Sequence, residues 1–276
     1  MMNHVIGLHL RSNQSLHDLI EKALRLNLPF FQCFLRQQSG NMIVVNKEEL
    51  ASFRTACQHY PHLFVHGSYR INLADPTVNN HPALKQEIYW AEKLGFTHMI
   101  IHPGATSDYR AGIDAIARAL NSIIRSSTTL QFVVENVAFA SPSIGGDIAD
   151  LQNIKNKLDN PERLGFCVDT AHAYAFGYNL ADERARKEYI QAIGQVLGFD
   201  RITLIHINDT QSMVGSRHDI HCRMGSGTIG VEALKQFVLD PRMAHIPLLL
   251  ELPAISEQEE EQDLITVQSW YHTKQE

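Results

Sequence analysis

Short runs that are apolar almost throughout alternate eight times along this chain with longer runs whose apolar residues recur at helical spacing. The short runs fall at 4–10, 29–35, 63–66, 98–102, 131–135, 165–169, 202–206 and 247–251. Stretches such as Met99-Ile100-Ile101 and Phe132-Val133-Val134 leave no polar face, as strands of a parallel sheet covered on both sides require. The helical runs are 15–27, 47–59, 80–95, 108–126, 147–159, 181–198, 230–239 and 259–272. Leu16, Leu19, Ile20, Ala23 and Leu24 form one face of the first; Ile113, Ile116, Ala117, Leu120 and Ile124 form that of the fourth. Eight strands alternating with eight helices predict a closed (β/α)8 TIM barrel, with an open doubly wound sheet as the competitor. The length, 276 residues, suits one such domain over 1–276. No G-x-G-x-x-G follows the first strand and no G-x-x-x-x-G-K-[ST] occurs, so no nucleotide cofactor is expected.

Composition narrows the setting. No run of about 18 apolar residues exists and the first residues lack a secretory pattern, so neither a membrane nor export is expected. The four cysteines, Cys33, Cys57, Cys167 and Cys222, form no C-x-x-C pair, which fits a reducing cytoplasm. The formal charge of -6 argues, taken alone, against a nonspecific nucleic-acid binder. The 15 histidines hint at metal or acid–base chemistry, and their placement has to decide.

Placement is informative at the strand ends. Strands three to eight finish on His66, His102, Glu135, Asp169, His206 and Glu251. In a barrel, all C-terminal strand ends open onto one face, where active sites lie. A single polar strand end is ordinarily a satisfied cap. Six in succession would ring one cavity, where Glu135, Asp169 and Glu251 would repel one another and be costly to desolvate. Divalent cations relieve that cost, and histidine with carboxylate is a zinc ligand mixture.

The loops at the same end add donors. His172 follows Asp169 by three residues, and Asp219-Ile220-His221 places two donors on one side of an extended segment. The resulting five histidines and four carboxylates are too many for one ion and suit two or three, with bridging carboxylates. Close metals of this kind are suited to phosphoester cleavage. Three divalent ions would outweigh the carboxylates and bring the chain's formal charge to about zero, so acidity of the bare chain does not exclude a DNA substrate.

With those residues in place, the sequence resembles the endonuclease IV family of zinc-dependent abasic-site endonucleases. The motifs are HGSYRIN at 66–72, HPG at 102–104, EN at 135–136, CVDTAHAYAFGY at 167–178, HIND at 206–209, GSRHDIH at 215–221, GSGTIG at 225–230, and Glu251. The resemblance implies three Zn2+, with Mn2+ an alternative at one site. His66, His102 and Glu135 would hold the first; Glu135, Asp169, His206 and Glu251 the second; His172, Asp219 and His221 the third. It implies hydroxide attack between the first two ions, with Glu251 and Glu135 as catalytic residues. The bond cut would lie 5′ to an abasic site in damaged double-stranded DNA, leaving a 3′-hydroxyl, with trimming of blocked 3′ ends. Tyr69, Arg70 and Arg217 would contact DNA, and the protein would act as a monomer.

Gln38 matches a family glutamine, but the DNA-facing loops depart from the family's usual pattern at Arg11-Ser-Asn-Gln14, at Ser39-Gly-Asn-Met42, at Val137-Ala138-Phe139 and at Leu252-Pro253. The alternatives are a sugar isomerase or epimerase of the related xylose isomerase-like barrels, which use fewer metals and histidines, and a barrel retained only as a binding scaffold.

Overall fold

Apolar runs just long enough to cross a barrel wall become its strands. The computed structural model describes residues 5–11, 15–37, 40–43, 45–76, 82–139 and 142–271. The barrel strands are β1 (Ile6–Leu10), β2 (Phe31–Phe34), β3 (Phe64–His66), β4 (His98–Ile101), β5 (Gln131–Glu135), β6 (Leu164–Asp169), β7 (Ile202–His206) and β10 (Leu248–Leu250). They are parallel throughout and close in the order β1-β10-β7-β6-β5-β4-β3-β2, as the alternation predicts. The register sets Asp169 beside His206 and Phe34 beside His66.

Around the barrel run α1 (Leu16–Arg25), α2 (Lys47–Cys57), α3 (Pro82–Leu94), α4 (Tyr109–Ser126), α5 (Ile148–Lys155), α7 (Glu183–Val196), α8 (Val231–Val238) and α9 (Glu257–Ser269). Side-chain caps fix several starts: Asn46 with Glu49 and Ser256 with Glu259 form reciprocal capping boxes at α2 and α9. None of these helices is long and apolar enough to cross a membrane. Cys33, Cys57, Cys167 and Cys222 are all buried and free.

Two apolar layers follow from the two-residue period of a strand. One lies between sheet and helices. The other is a plug inside the barrel made of Phe30, Phe64, Ile100, Val133, Cys167, Leu204 and Leu249. On β1 the plug position is Gly7, where a Cβ would stand 2.7 Å from the Phe30 ring, so only glycine leaves that ring its room. Two residues beyond each plug residue, the side chain points inward again, one layer nearer the C-terminal mouth.

The structure adds elements that the apolar pattern does not reveal. A short helix, α6 (Thr170–Phe176), starts directly at the end of β6, because the Asp169 carboxylate accepts the backbone N–H of His172 at 2.8 Å. An antiparallel pair, β8 (Asp209–Thr210) and β9 (His221–Cys222), forms beyond β7. The acidic run at 257–263 opens the last helix, and part of it turns inward. Glu260 and Asp263 are buried and paired with Lys22 and Arg223.

Candidate metal centre

The layer above the plug is polar. His66, His102, Glu135, Asp169, His206 and Glu251 each follow a plug residue by two positions, on adjacent strands or one residue past their ends. Glu135, Asp169 and His206 are fully buried, and His66 is nearly so. Glu135 sits between its neighbours. Its Oε2 is 3.1 Å from the Nε2 atoms of both His66 and His102, and its Oε1 is 2.9 Å from His206 Nδ1. His206 Nδ1 also lies 3.3 Å from Glu251 Oε2 and 3.8 Å from Asp169 Oδ2.

The loops close the ring. His172 on α6 and His221 on β9 both turn Nε2 towards Asp219, at 3.2 and 3.0 Å, and His221 Nε2 is 3.8 Å from Asp169. Donor atoms gather within 4.8 Å of one another in three overlapping groups: His66, His102 and Glu135; Glu135, Asp169, His206 and Glu251; and Asp169, His172 and His221. The first two have the composition expected from sequence. In the third, Asp169 joins the two histidines while Asp219 stands at the rim, about a third exposed. Cys167 is also within reach of Glu135 and His206, but burial pushes its thiol up to about 12, and it belongs to the plug.

The histidine rings are oriented from behind. The Nδ1 atoms of His66, His172 and His221 lie 2.7, 2.8 and 3.1 Å from the carbonyl oxygens of Gly67, Asn136 and Glu251. Each therefore donates from Nδ1 and presents Nε2 to the carboxylates, as metal-binding imidazoles do. The Nε2 atoms of His172 and His221 are buried and face carboxylates alone, within 3.2 and 3.0 Å of Asp219 but without the alignment of a hydrogen bond. Imidazole nitrogens and carboxylate oxygens converging on one buried point are a donor set that fits a divalent cation.

The electrostatics agree. Burial alone would raise Glu135 and Glu251, yet the imidazoles, His206 foremost, hold both well below the usual carboxylate range. Burial would lower His172, but Asp169 and Asp219 raise it well above its usual value. Paired charges of this kind inside a barrel are what bound cations would replace.

Asparagines tie the ligand-bearing strands together. Asn136 Oδ1 accepts the Asp169 N–H at 2.7 Å, and its Nδ2 donates to the Asp169 carbonyl at 3.1 Å. Asn208 donates to Asp169 Oδ2 at 2.6 Å and accepts the Glu251 N–H at 2.8 Å. Two more buried residues, His9 and Gln32, complete the layer and were not expected from sequence. Their signal is the same register: each stands two residues after a plug position, Gly7 or Phe30, on strands whose ends carry no acidic residue.

Relatives now bear on the geometry. Residues 20–271 match the family model described as xylose isomerase-like TIM barrel. "Probable endonuclease 4" of Halorhodospira halophila is 36% identical over 261 residues, covering 90% of this chain and 88% of that protein. This chain belongs to the endonuclease IV family. "Apurinic-apyrimidinic endonuclease 1" of Saccharomyces cerevisiae is 25% identical over 259 residues, covering 90% of this chain and 71% of its own length. The crystal structure of endonuclease IV from Thermus thermophilus superposes with a TM-score of 0.80 at 25% identity, covering 98% and 99% of the two chains.

The residues that the endonuclease IV resemblance assigns to DNA stand at the rim. Tyr69 is 58% exposed, edge-on to Phe34, which in turn packs on His66. The Arg70 guanidinium leans over Gly40 in the loop after β2. Arg217 adopts the left-handed region, at φ 61°, and its guanidinium stacks 3.8 Å above the Phe176 ring. Of the divergent loops, Phe139 meets His102 ring to ring at 5.6 Å, and Arg11 donates to the Leu252 carbonyl at 2.6 Å. Residues 12–14, Gln38 and Ser39 lie outside the described residues.

Proposed function

We propose that this chain is a zinc-dependent DNA repair endonuclease that hydrolyses the phosphodiester 5′ to an abasic site in double-stranded DNA, leaves a 3′-hydroxyl, and trims blocked 3′ ends with the same centre. Its class, a nuclease, is that of its relatives. The observation that carries the reading is the convergence of the histidine and carboxylate groups at the barrel mouth, with the Nε2 atoms of His172 and His221 buried and turned to carboxylates. His66, His102 and Glu135 would hold one Zn2+; Glu135, Asp169, His206 and Glu251 a second; His172, Asp219 and His221 a third, with Asp169 at their side and Mn2+ an alternative at one position. Bound zinc supplies positive charge against the phosphate and makes water acidic near neutral pH.

The chain's own groups do the positioning. Glu135 links the first group to the second, since its two oxygens face different histidines. Glu251 stays ionised at the layer's edge, where it can orient the attacking water. Tyr69, Arg70 and Arg217 face the duplex, the two arginines towards phosphate. The protein works as a monomer in the cytoplasm, as one domain over 1–276, without a nucleotide cofactor.

The test is direct. Purified protein should retain about three metals per chain and nick a duplex carrying one abasic analogue without added magnesium. Tight metal retention with no nicking, but turnover of a ketose, would instead favour a sugar isomerase.

A further inference from the structure

Gln32 lies at the centre of the polar layer, fully buried, and touches three of its members. Its Nε2 is 2.6 Å from Glu251 Oε1 and 2.9 Å from His9 Nδ1, and its Oε1 is 3.1 Å from His206 Nε2. The amide can sit only one way round. Turned over, its carbonyl oxygen would face the Glu251 carboxylate, and two acceptors would meet in a buried site. The charge of Glu251 thus fixes Nε2 towards itself and Oε1 towards His206. Facing an acceptor, His206 Nε2 carries a hydrogen, which leaves Nδ1 as the nitrogen that can give its lone pair to a bound cation. Nδ1 is the nitrogen that lies 2.9 Å from Glu135 Oε1 and 3.3 Å from Glu251 Oε2.

His206 differs here from its neighbours. His66, His172 and His221 rest Nδ1 on backbone carbonyls and present Nε2 inwards. A backbone carbonyl holds a ring wherever the chain goes. His206, presented the other way round, depends on a side chain from β2, across the barrel.

We propose that Gln32 is a positioning residue of the central metal group. It fixes His206 as an Nδ1 ligand and holds Glu251 turned towards the same ion, with His9 occupying its remaining amide proton. This rests on the metal-dependent reading above. It also gives β2, which contributes no ligand to that reading, a part in the centre.

Gln32→Met keeps the side-chain length and removes the amide, and Gln32→Asn keeps the amide but withdraws it by one methylene. Both are made in the full chain, and either one folded suffices. Outer partners of metal ligands are worth about 10–100-fold in affinity or activity. Zinc should therefore pass to a chromophoric chelator at least about tenfold faster than from the parent protein for one metal per chain. The visible bands of the Co2+-substituted protein should shift, and kcat on abasic duplex should fall with KM nearly unchanged. Parent-like chelator kinetics and cobalt spectra in the folded variants would overturn the assignment of Gln32 alone. A parent protein that holds no zinc would overturn the metal reading and this inference with it.

Discussion

The carboxylate of Asp209 accepts the backbone N–H of Gly227 at 3.0 Å, and with it organises the whole turn that leads into α8. The same buried side chain accepts the N–H groups of Thr210, Gly225, Ile229 and Gly230. HIND at 206–209 and GSGTIG at 225–230 are thus one structural unit, although 15 residues separate them. A Cβ at Gly227 would stand 2.3 Å from Asp209 Oδ1 and 2.4 Å from the Thr210 carbonyl oxygen, too close for either to remain.

Removing the carboxylate leaves five backbone donors without their acceptor, two of them, on Thr210 and Ile229, in buried residues where an unmade bond costs about 1–3 kcal/mol each. Asp209→Ala is expected to lower the unfolding free energy by roughly 3 kcal/mol or more in urea titrations. Gly227→Ala should act in the same direction. A loss below about 1 kcal/mol for Asp209→Ala would show that the turn holds without its hub.

Glu135 carries a different kind of burden, because it belongs to two donor groups. Glu135→Gln removes one charge and turns one of its oxygens into a donor facing imidazoles. The substitution should reduce bound metal by at least one ion per chain and cut abasic-duplex cleavage by about 100-fold or more, beyond what loss of an outer-shell partner produces. Metal content by elemental analysis and single-turnover cleavage check both. Unchanged metal content would disprove the sharing of Glu135.

How far the sequence reaches depends on which period is being read. The barrel and the six strand-end donors are legible because a two-residue step from an apolar inner position lands on a donor in six consecutive strands. That step continues onto β1 and β2, yet His9 and Gln32 stay hidden, since a histidine within an apolar run and a glutamine within another carry no local signal. α6 is missed because its seven residues are nearly all buried and show no polar face. The hydrogen-bonded backs of the histidines are illegible in principle: carbonyls of Gly67, Asn136 and Glu251 have no side-chain identity to read. The motifs mark Asn136, Asn208 and Asp209 without saying that two tie strands and one holds a turn.

The imidazoles give the metal-free protein a distinctive pH response. Burial alone would lower His221, but the adjacent carboxylate of Asp219, 3.0 Å away, and the charge of Asp169 lift it from 6.5 to about 9. A group raised in the folded state contributes stability in full below its unfolded value, and loses it as pH rises through the folded value. Chelator-stripped protein should therefore lose up to about 3 kcal/mol between pH 6.5 and 9 from this group, at 1.36 kcal/mol per unit. Zinc requires the same nitrogens unprotonated, so its apparent affinity should rise over the same window. Melting curves at several pH values, with and without zinc, separate the two. A stripped protein whose midpoint stays level or rises from pH 6.5 to 9 would contradict the pairing of His221 with Asp219.

The rim residues should differ in how they respond to salt. Arg217 is fixed by its stack on Phe176 and by its backbone N–H, which reaches the Ala175 carbonyl at 2.9 Å. A guanidinium held in place before binding gives up little freedom when it meets a phosphate. Arg217→Ala should weaken duplex binding and flatten the dependence of log K on log salt by about 0.9, the share of one phosphate contact. Tyr69 offers an exposed ring rather than a charge, so Tyr69→Ala should raise Kd by an amount equivalent to about 1–3 kcal/mol, the range for stacking on a base, and leave the salt slope alone. Tyr69→Phe should bind nearly as the parent does, because the ring and its edge contact with Phe34 both survive. If Tyr69→Ala flattens the salt slope while Arg217→Ala does not, the two residues have been given each other's roles.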